Sequence, residues 1–332
     1  MTGMNLPLVF VTQKKINEEL RAVYQEKLGD VAELIFADKI DKSARKTAID
    51  QARVLIVSNI RVDLFDEECR ALANVGLIQA LTAGVDHIPF STLPDGVSVA
   101  YNPGIYAEPM AEHILAMAFA AGKRLRQEHA EMQVGNFNQF VPNRQMAGSN
   151  CAILGFGGVG QVTARMLRAL GISIHAVNRS GETDENVDAI STLDNLKQVL
   201  TEADIVVVGL SLTRKTMGLI GARELNWMKP DAILINVSRG EVIDQTALFE
   251  HLVANQKFIA GIDAWWIEPV RHGEFRIKHP FLDLPNVIAS PHNSAQVPGI
   301  HNFPARAAAE NVRRFLSGEA PLHLVGDDER LR

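Results

Sequence analysis

Three residues far apart in the chain are of types suited to reducing a carbonyl that sits beside a carboxylate: Arg239, Glu268 and His292. A guanidinium is permanently charged and forked, so it can hold a carboxylate through two bonds and polarise the adjacent carbonyl. An imidazole can give a proton to the alkoxide that forms, because histidine's ordinary pKa lies near working pH. A carboxylate can hold that imidazole by a hydrogen bond and favour its charged form. Taken singly, each has a plain alternative. Arg239 could be a salt-bridge arginine, Glu268 a surface acid before Pro269, and His292 a turn histidine after Pro291. Their occurrence in this order, after one glycine-rich motif, is what chance explains poorly.

That motif lies in Asn150–Gly160. Cys151 to Leu154 form a short apolar run of the kind found in buried parallel strands. Gly155, Gly157 and Gly160 follow as G-x-G-x-x-G, with Phe156, Gly158 and Val159 between them. Val162, Met166, Leu167 and Leu170 have helical spacing, and Gly171 suits a C-cap. Strand, glycine turn and helix are the context a dinucleotide site requires. The glycines allow a tight turn, backbone approach to a pyrophosphate, and close packing of helix on strand. The helix N-terminus offers N–H groups and a positive dipole end. A second strand, Ile172 to Val177, closes a βαβ unit.

The tip of that second strand bears on which dinucleotide is used. NAD-binding units usually carry Asp or Glu there to bond the ribose 2′-hydroxyl. Here the residues are Asn178-Arg179-Ser180. No carboxylate stands ready to repel a 2′-phosphate, Arg179 can pair with one, and Ser180 can donate a further bond. The expectation is NADP(H) over NAD(H), with NAD(H) as the lesser cofactor. The plainer alternative is a solvated surface arginine.

Stepping outward, Leu6–Thr12, Ala32–Ala37, Ala52–Ser58, Leu77–Thr82 and Val97–Tyr101 read as strands, alternating with helices at Ile16–Leu28, Lys42–Gln51 and Val62–Ala73. Glu108–Arg126 reads as one long apolar helix, and Gln127–Gly148 as a more polar lead into the glycine motif. Gly181–Asp188 reads as a solvated loop. Beyond it, helices at Leu193–Leu200, Leu225–Met228 and Ala247–Ala254 alternate with strands at Ile205–Leu210, Ala232–Val237, Phe258–Asp263 and Val287–Ala289. Ala305–Leu316 reads as an amphipathic helix that returns to the first unit. Such alternation predicts parallel sheets covered on both faces. Ligands bind such sheets at the carboxyl ends of strands. Arg239, Asp263 and His292 all fall at such ends. So do Thr82-Ala83-Gly84-Val85-Asp86-His87 and Asn102-Pro103-Gly104, where a carboxylate nest and simple turn chemistry are both open readings.

The bulk numbers are those of a globular protein long enough for two domains: 332 residues, 47% apolar, 22% charged. A net charge of −6 and a pI of about 5.9 give no basic stripe for nucleic acid. Two cysteines, Cys69 and Cys151, form neither a disulfide framework nor a metal pattern. Met1–Phe10 lacks the features of a signal peptide, and no apolar run has membrane-spanning length. A cytoplasmic protein without a metal is the default expectation.

The chain resembles the D-isomer-specific 2-hydroxyacid dehydrogenase family. The matching stretches are Gly155–Gly160, Asn236–Asp244, Gly261–Pro269 and Ser290–His292, with Thr82–Asp86, Asn102–Gly104 and Met110–Glu112. The resemblance covers nearly the whole chain. It implies an α/β fold of two doubly wound parallel-sheet domains, a Rossmann NAD(P) domain (104–295) inserted into a flavodoxin-like substrate domain (1–103 plus 296–332). It implies hinges near Pro103 and Pro291. Arg239 would bind and polarise substrate, His292 would be the acid/base, and Glu268 its carboxylate partner. Ala83 and Gly84 would offer N–H groups to the substrate carboxylate. Asp263 would bond the nicotinamide carboxamide, and Leu210, Ser211, Thr216, Val237, Ser238 and His292 would line the cofactor. Members are usually homodimers through the nucleotide domain. The implied reaction is NADP(H)-dependent reduction of a small 2-oxo acid, such as glyoxylate or hydroxypyruvate, to the D-2-hydroxy acid.

Several positions depart from the family's pattern: Gly209 and Ser211 beside the adenosine side, Trp265-Trp266, and Asn293-Ser294 after His292 in place of Gly-Gly. They leave the substrate open. Trp266 could line its pocket or be a buried aromatic. Ser294 and the basic run Arg271, His272, Arg276, Lys278, His279 keep open a dehydrogenase of an inorganic or one-carbon acid such as phosphite or formate, although a solvated loop explains the run as well. A dinucleotide-sensing corepressor-like binding protein is the non-enzymatic alternative.

Overall fold

The computed structural model describes residues 6–330, so the reading of Met1–Phe10 lies partly outside the described residues. These residues divide into two compact units. One runs to Ile105 and resumes at Val297; the other is Tyr106–Gln296.

The first unit is a parallel sheet of β1 (Leu8–Val11), β2 (Glu33–Phe36), β3 (Ala52–Val57), β4 (Leu77–Ala80) and β5 (Ser98–Ala100), in the order β2-β1-β3-β4-β5. That is a flavodoxin-like order. β1 is buried along its whole length, as its unbroken apolar run requires of a strand covered on both faces. Tyr24 and Leu28 of the helix Glu18–Leu28 pack on one face together with Ala305, Ala308 and Val312 of the helix Asn302–Leu316. The C-terminal helix therefore belongs to this unit's core.

The second unit carries β6 (Asn150–Leu154), β7 (Ser173–Val177), β8 (Ala189–Ser191), β9 (Ile205–Val208), β10 (Ile233–Asn236), β11 (Ile259–Ile262) and β12 (Val287–Ala289). The order is β12-β11-β10-β9-β6-β7-β8, all parallel. Strand order reverses between β6 and β9, which makes their carboxyl ends the switch point where a Rossmann sheet binds its ligand. The helices Ala107–Gly122 and Gly158–Ala169 cover a core of Ile153, Ile174, Val207 and Ile235.

Three expected elements are corrected. The long helix over Glu108–Arg126 ends at Gly122, and Arg124 is left-handed at φ +53°. A further helix, Leu125–Gln133, lies where a polar lead was expected. It buries no residue, so no core-facing period marked it. Val62–Ala73 becomes two short helices, Ile60–Asp63 and Asp66–Arg70. The Asp63 carboxylate accepts from the Ser58 and Asn59 N–H groups at 2.7 and 3.1 Å, closing the first helix locally. The loop over Gly181–Asp188 leads into β8, an edge strand with one neighbour and no buried residue, which gave no apolar signal. Among the described residues no helix is long and apolar enough to cross a membrane, and no cluster of His, Cys, Asp and Glu could hold a metal ion.

Candidate active site

The turn after β6 is built backbone against backbone. Gly155 sits at φ +99°, where glycine alone is unstrained. A Cβ on it would meet the Gly209 carbonyl oxygen at 2.5 Å, and one on Gly160 the Gly155 carbonyl oxygen at 2.6 Å. Gly157 differs, because a Cβ there would meet nothing within 4 Å. That open space lies at the N-terminus of the helix Gly158–Ala169, which no side chain caps. Its first N–H groups and the positive dipole end are available to an anion. Phe156 is buried beside the turn, and Val159 packs partly into the core. The cradle and its donors fit the pyrophosphate of a dinucleotide.

At the end of β7, Asn178 makes the turn. Its Oδ1 accepts from the Gly181 N–H at 2.7 Å and the Ser180 hydroxyl at 3.2 Å, and its Nδ2 donates to the Glu182 carbonyl at 2.8 Å. Arg179 lies exposed between Asn178 and Ser180. The Ser180 hydroxyl is engaged inside the turn. After β9, Leu210 is half-buried and Ser211 exposed. The Thr216 hydroxyl donates to the Ser211 carbonyl at 2.6 Å and accepts from the Thr213 N–H at 2.8 Å, so Thr216 shapes this loop from within.

Arg239 is presented by a turn that Asn236 builds. Asn236 Oδ1 accepts from the Ser238 N–H at 3.1 Å and hydroxyl at 2.9 Å, while Nδ2 donates to the Arg239 carbonyl at 2.9 Å. Val237 and Ser238 are buried, and Arg239 is half-buried. Gly240 packs on the next loop so closely that a Cβ would stand 2.4 Å from the Trp265 carbonyl carbon.

That next loop, after β11, carries Glu268, which is 6% exposed. His292 Nδ1 lies 2.8 Å from both Glu268 carboxylate oxygens. The Trp265 N–H donates to Oε1 at 2.6 Å, and the Glu268 N–H donates to His272 Nδ1 at 3.0 Å. Burial alone would raise the Glu268 pKa. The His292 hydrogen bond and charge, the Trp265 amide and the Arg239 charge outweigh it and hold the carboxyl below its usual range. Arg239, Glu268 and His292 are thus brought into one electrostatic neighbourhood. With Nδ1 engaged, Nε2 is the ring atom left to exchange a proton.

His292 is left-handed, at φ +50°. Such a conformation costs a non-glycine residue on the order of 1 kcal/mol and needs surrounding bonds to hold it. They come from Asp263, which is 0% exposed. Its carbonyl accepts from the His292 N–H at 2.9 Å, and its carboxylate from the Ser290 hydroxyl, Asn293 N–H and Ser294 N–H at 2.5, 3.1 and 3.4 Å. The Trp265 indole N–H donates to the Ser290 carbonyl at 2.9 Å. Both Asp263 carboxylate oxygens therefore serve the His292 loop.

In the first unit, Ala83 and Gly84 are half-buried in the loop after β4, where the Thr82 hydroxyl donates to the Gly84 carbonyl at 2.7 Å. Trp266 stacks on Phe281 with centroids 5.4 Å apart and donates its indole N–H to the Ile243 carbonyl at 2.7 Å, so it is a packing aromatic. The basic run 271–279 is largely solvated, with His272, Arg276 and Lys278 exposed; Arg271 pairs with Glu241, Arg276 with Glu274, and Lys278 and His279 both bond Thr246. Three contributors escaped the sequence reading. Asn at a strand end two residues before Ser was a legible turn signal for Asn236. His113, whose Nε2 lies 3.0 Å from the Ser290 hydroxyl oxygen, meets its partner only through tertiary packing, whereas His272 bonds Glu268 four residues away.

Residues 115–294 match the model of the D-isomer specific 2-hydroxyacid dehydrogenase, NAD binding domain. The chain belongs to this family. It is 31% identical over 254 residues to a glyoxylate reductase/hydroxypyruvate reductase of Mus musculus, spanning 75% of this chain and 76% of that one. It is 28% identical to a glyoxylate reductase of Aeropyrum pernix, spanning 97% and 96% of the two chains. A solved D-isomer specific 2-hydroxyacid dehydrogenase from Xanthobacter autotrophicus Py2, in complex with NADPH and MES, superposes with a TM-score of 0.79 at 26% identity over 96% of this chain and 98% of that one. The protein is an NAD(P)-dependent oxidoreductase of this family.

The two kinds of glycine make opposite predictions. Gly155→Ala should lower the melting temperature, because its Cβ meets backbone in a left-handed turn. Gly157→Ala should melt as the parent does yet weaken dinucleotide binding about tenfold or more, measured by cofactor fluorescence titration. Equal cofactor affinity in Gly157→Ala would show that the pyrophosphate does not lie over this turn.

Proposed function

We propose that the protein reduces a small 2-oxo acid, of the glyoxylate or hydroxypyruvate type, to the D-2-hydroxy acid with NADP(H). The observation that carries this reading is the Glu268–His292 pair, 2.8 Å from Nδ1 to each oxygen, within reach of the Arg239 charge and on the nucleotide unit's strand ends. When bound, the nicotinamide supplies the hydride at C4. The protein then has two tasks. Arg239 holds the substrate carboxylate and polarises the carbonyl. His292 delivers a proton from Nε2 to the new alkoxide, while Glu268 stabilises the imidazolium through Nδ1. Gly155–Gly160, Leu210, Ser211, Val237 and Ser238 line the dinucleotide, Thr216 shapes its loop, and the Asp263 carboxylate secures the His292 loop. The names of the mouse and Aeropyrum relatives support the substrate class.

The test is NADPH oxidation against a panel of 2-oxo acids, with formate and phosphite oxidation as the contrasting arm. We expect turnover with glyoxylate or hydroxypyruvate and a loss of several orders of magnitude in His292→Ala. Turnover confined to formate or phosphite would replace the reading, and an active His292→Ala would remove the histidine from it.

The cofactor preference rests on Asn178-Arg179-Ser180 and the exposed guanidinium at its centre. Arg179→Ala should raise KM for NADPH about tenfold or more and leave KM for NADH within a factor of about two. A parallel rise for both cofactors would contradict a 2′-phosphate contact.

We further propose a homodimer through the nucleotide unit. The helix Leu125–Gln133 buries nothing within its own chain, and Phe137 and Phe140 after it are 77% and 86% exposed. Aromatic residues so exposed mark a surface that another chain covers. Light scattering should give twice the chain mass for the parent and a shift toward the single chain in Phe137→Ser/Phe140→Ser. A monomeric parent would sink the proposal.

A further inference from the structure

We infer that His113 is a positioning residue for His292, acting through Ser290 and Asp263. His113 lies on the helix Ala107–Gly122. Its Nε2 is 3.0 Å from the Ser290 hydroxyl oxygen, and that hydroxyl donates to Asp263 Oδ1 at 2.5 Å. The same Nε2 stands 3.8 Å from Oδ1 itself. Since the hydroxyl spends its one proton on the carboxylate, it must accept from the ring, which fixes the proton of His113 on Nε2. One chain of bonds thus runs from a core helix to the loop that holds the proton donor.

Asp263 is wholly buried, and a buried carboxylate holds its place only while its bonds are complete. It secures three consecutive residues of the loop: the His292 N–H bonds its carbonyl, and the Asn293 and Ser294 N–H groups bond its carboxylate. His292 itself is held left-handed, a conformation this network must maintain. His113 and Ser290 set the orientation of the carboxylate, the carboxylate sets the loop, and the loop aims the imidazole at Glu268. A donor misplaced by an ångström loses rate without losing substrate.

This inference rests on His292 being the proton donor, so His292→Ala is run beside the test variants. In His113→Leu, kcat should fall about ten- to a hundredfold, with KM for NADPH and the melting temperature close to the parent. His113→Gln, which can place an N–H donor near Nε2, should recover most of that loss, and Ser290→Ala should reproduce it. In protein labelled with 15N-histidine, the His292 ring resonances should move in His113→Leu and stay in His113→Gln. The inference is overturned if His113→Leu keeps its kcat, if Leu and Gln variants fall alike, or if only KM changes. If His292→Ala itself turns over normally, the underlying reading falls as well; if it is inactive while His113→Leu is normal, only the inference falls.

Discussion

The candidate site is built around an imidazole bonded to a buried carboxylate. Glu268 would resist ionising in its nearly closed site. Its carboxyl is nonetheless held below the usual range, because His292, the Trp265 amide and the Arg239 charge act on it together. The dependence is mutual. The carboxylate fixes Nδ1 as the engaged ring nitrogen of His292 and leaves Nε2 outside that pair.

Much of the second unit exists to keep that pair in register. Glu268 and His292 come from loops after adjacent parallel strands, β11 and β12, and Arg239 from the loop after β10. Parallel strands deliver their carboxyl ends to one edge, so residues remote in sequence converge without any long loop. The fine placement is done by further side chains: Asn236 turns the Arg239 segment, Asp263 clasps the His292 segment, and Trp265 holds Glu268 on its own loop through its amide and ties that loop to the next through its indole. Gly240 lets the Arg239 loop lie against Trp265 in van der Waals contact. Backbone strain at His292 is tolerated because this set of bonds over-determines it.

The glycine turn shows how similar residues carry different constraints. Gly155 and Gly160 are required by the fold itself, since their missing side chains are where other backbone passes. Gly157 faces open space at a helix end and is required only if something else must come close. The first two reflect packing, and the third has no such packing constraint.

The sequence by itself determined the fold class, the family and the type of reaction. Apolar runs punctuated by glycine and proline are strong local signals, and a parallel α/β sheet follows from their alternation. The break at Arg124, the helix Leu125–Gln133 and the edge strand β8 were not legible, because none of them buries a face whose period could be read. Nor could the sequence show that Arg271 pairs with Glu241, that His279 bonds Thr246, or that Trp266 stacks on Phe281. Residue type and order name the candidates for chemistry. Which hydrogen-bond partners they meet is decided across 20 to 180 residues of separation — His292 with Glu268, Ser290 with His113 — and only the folded chain sets those distances.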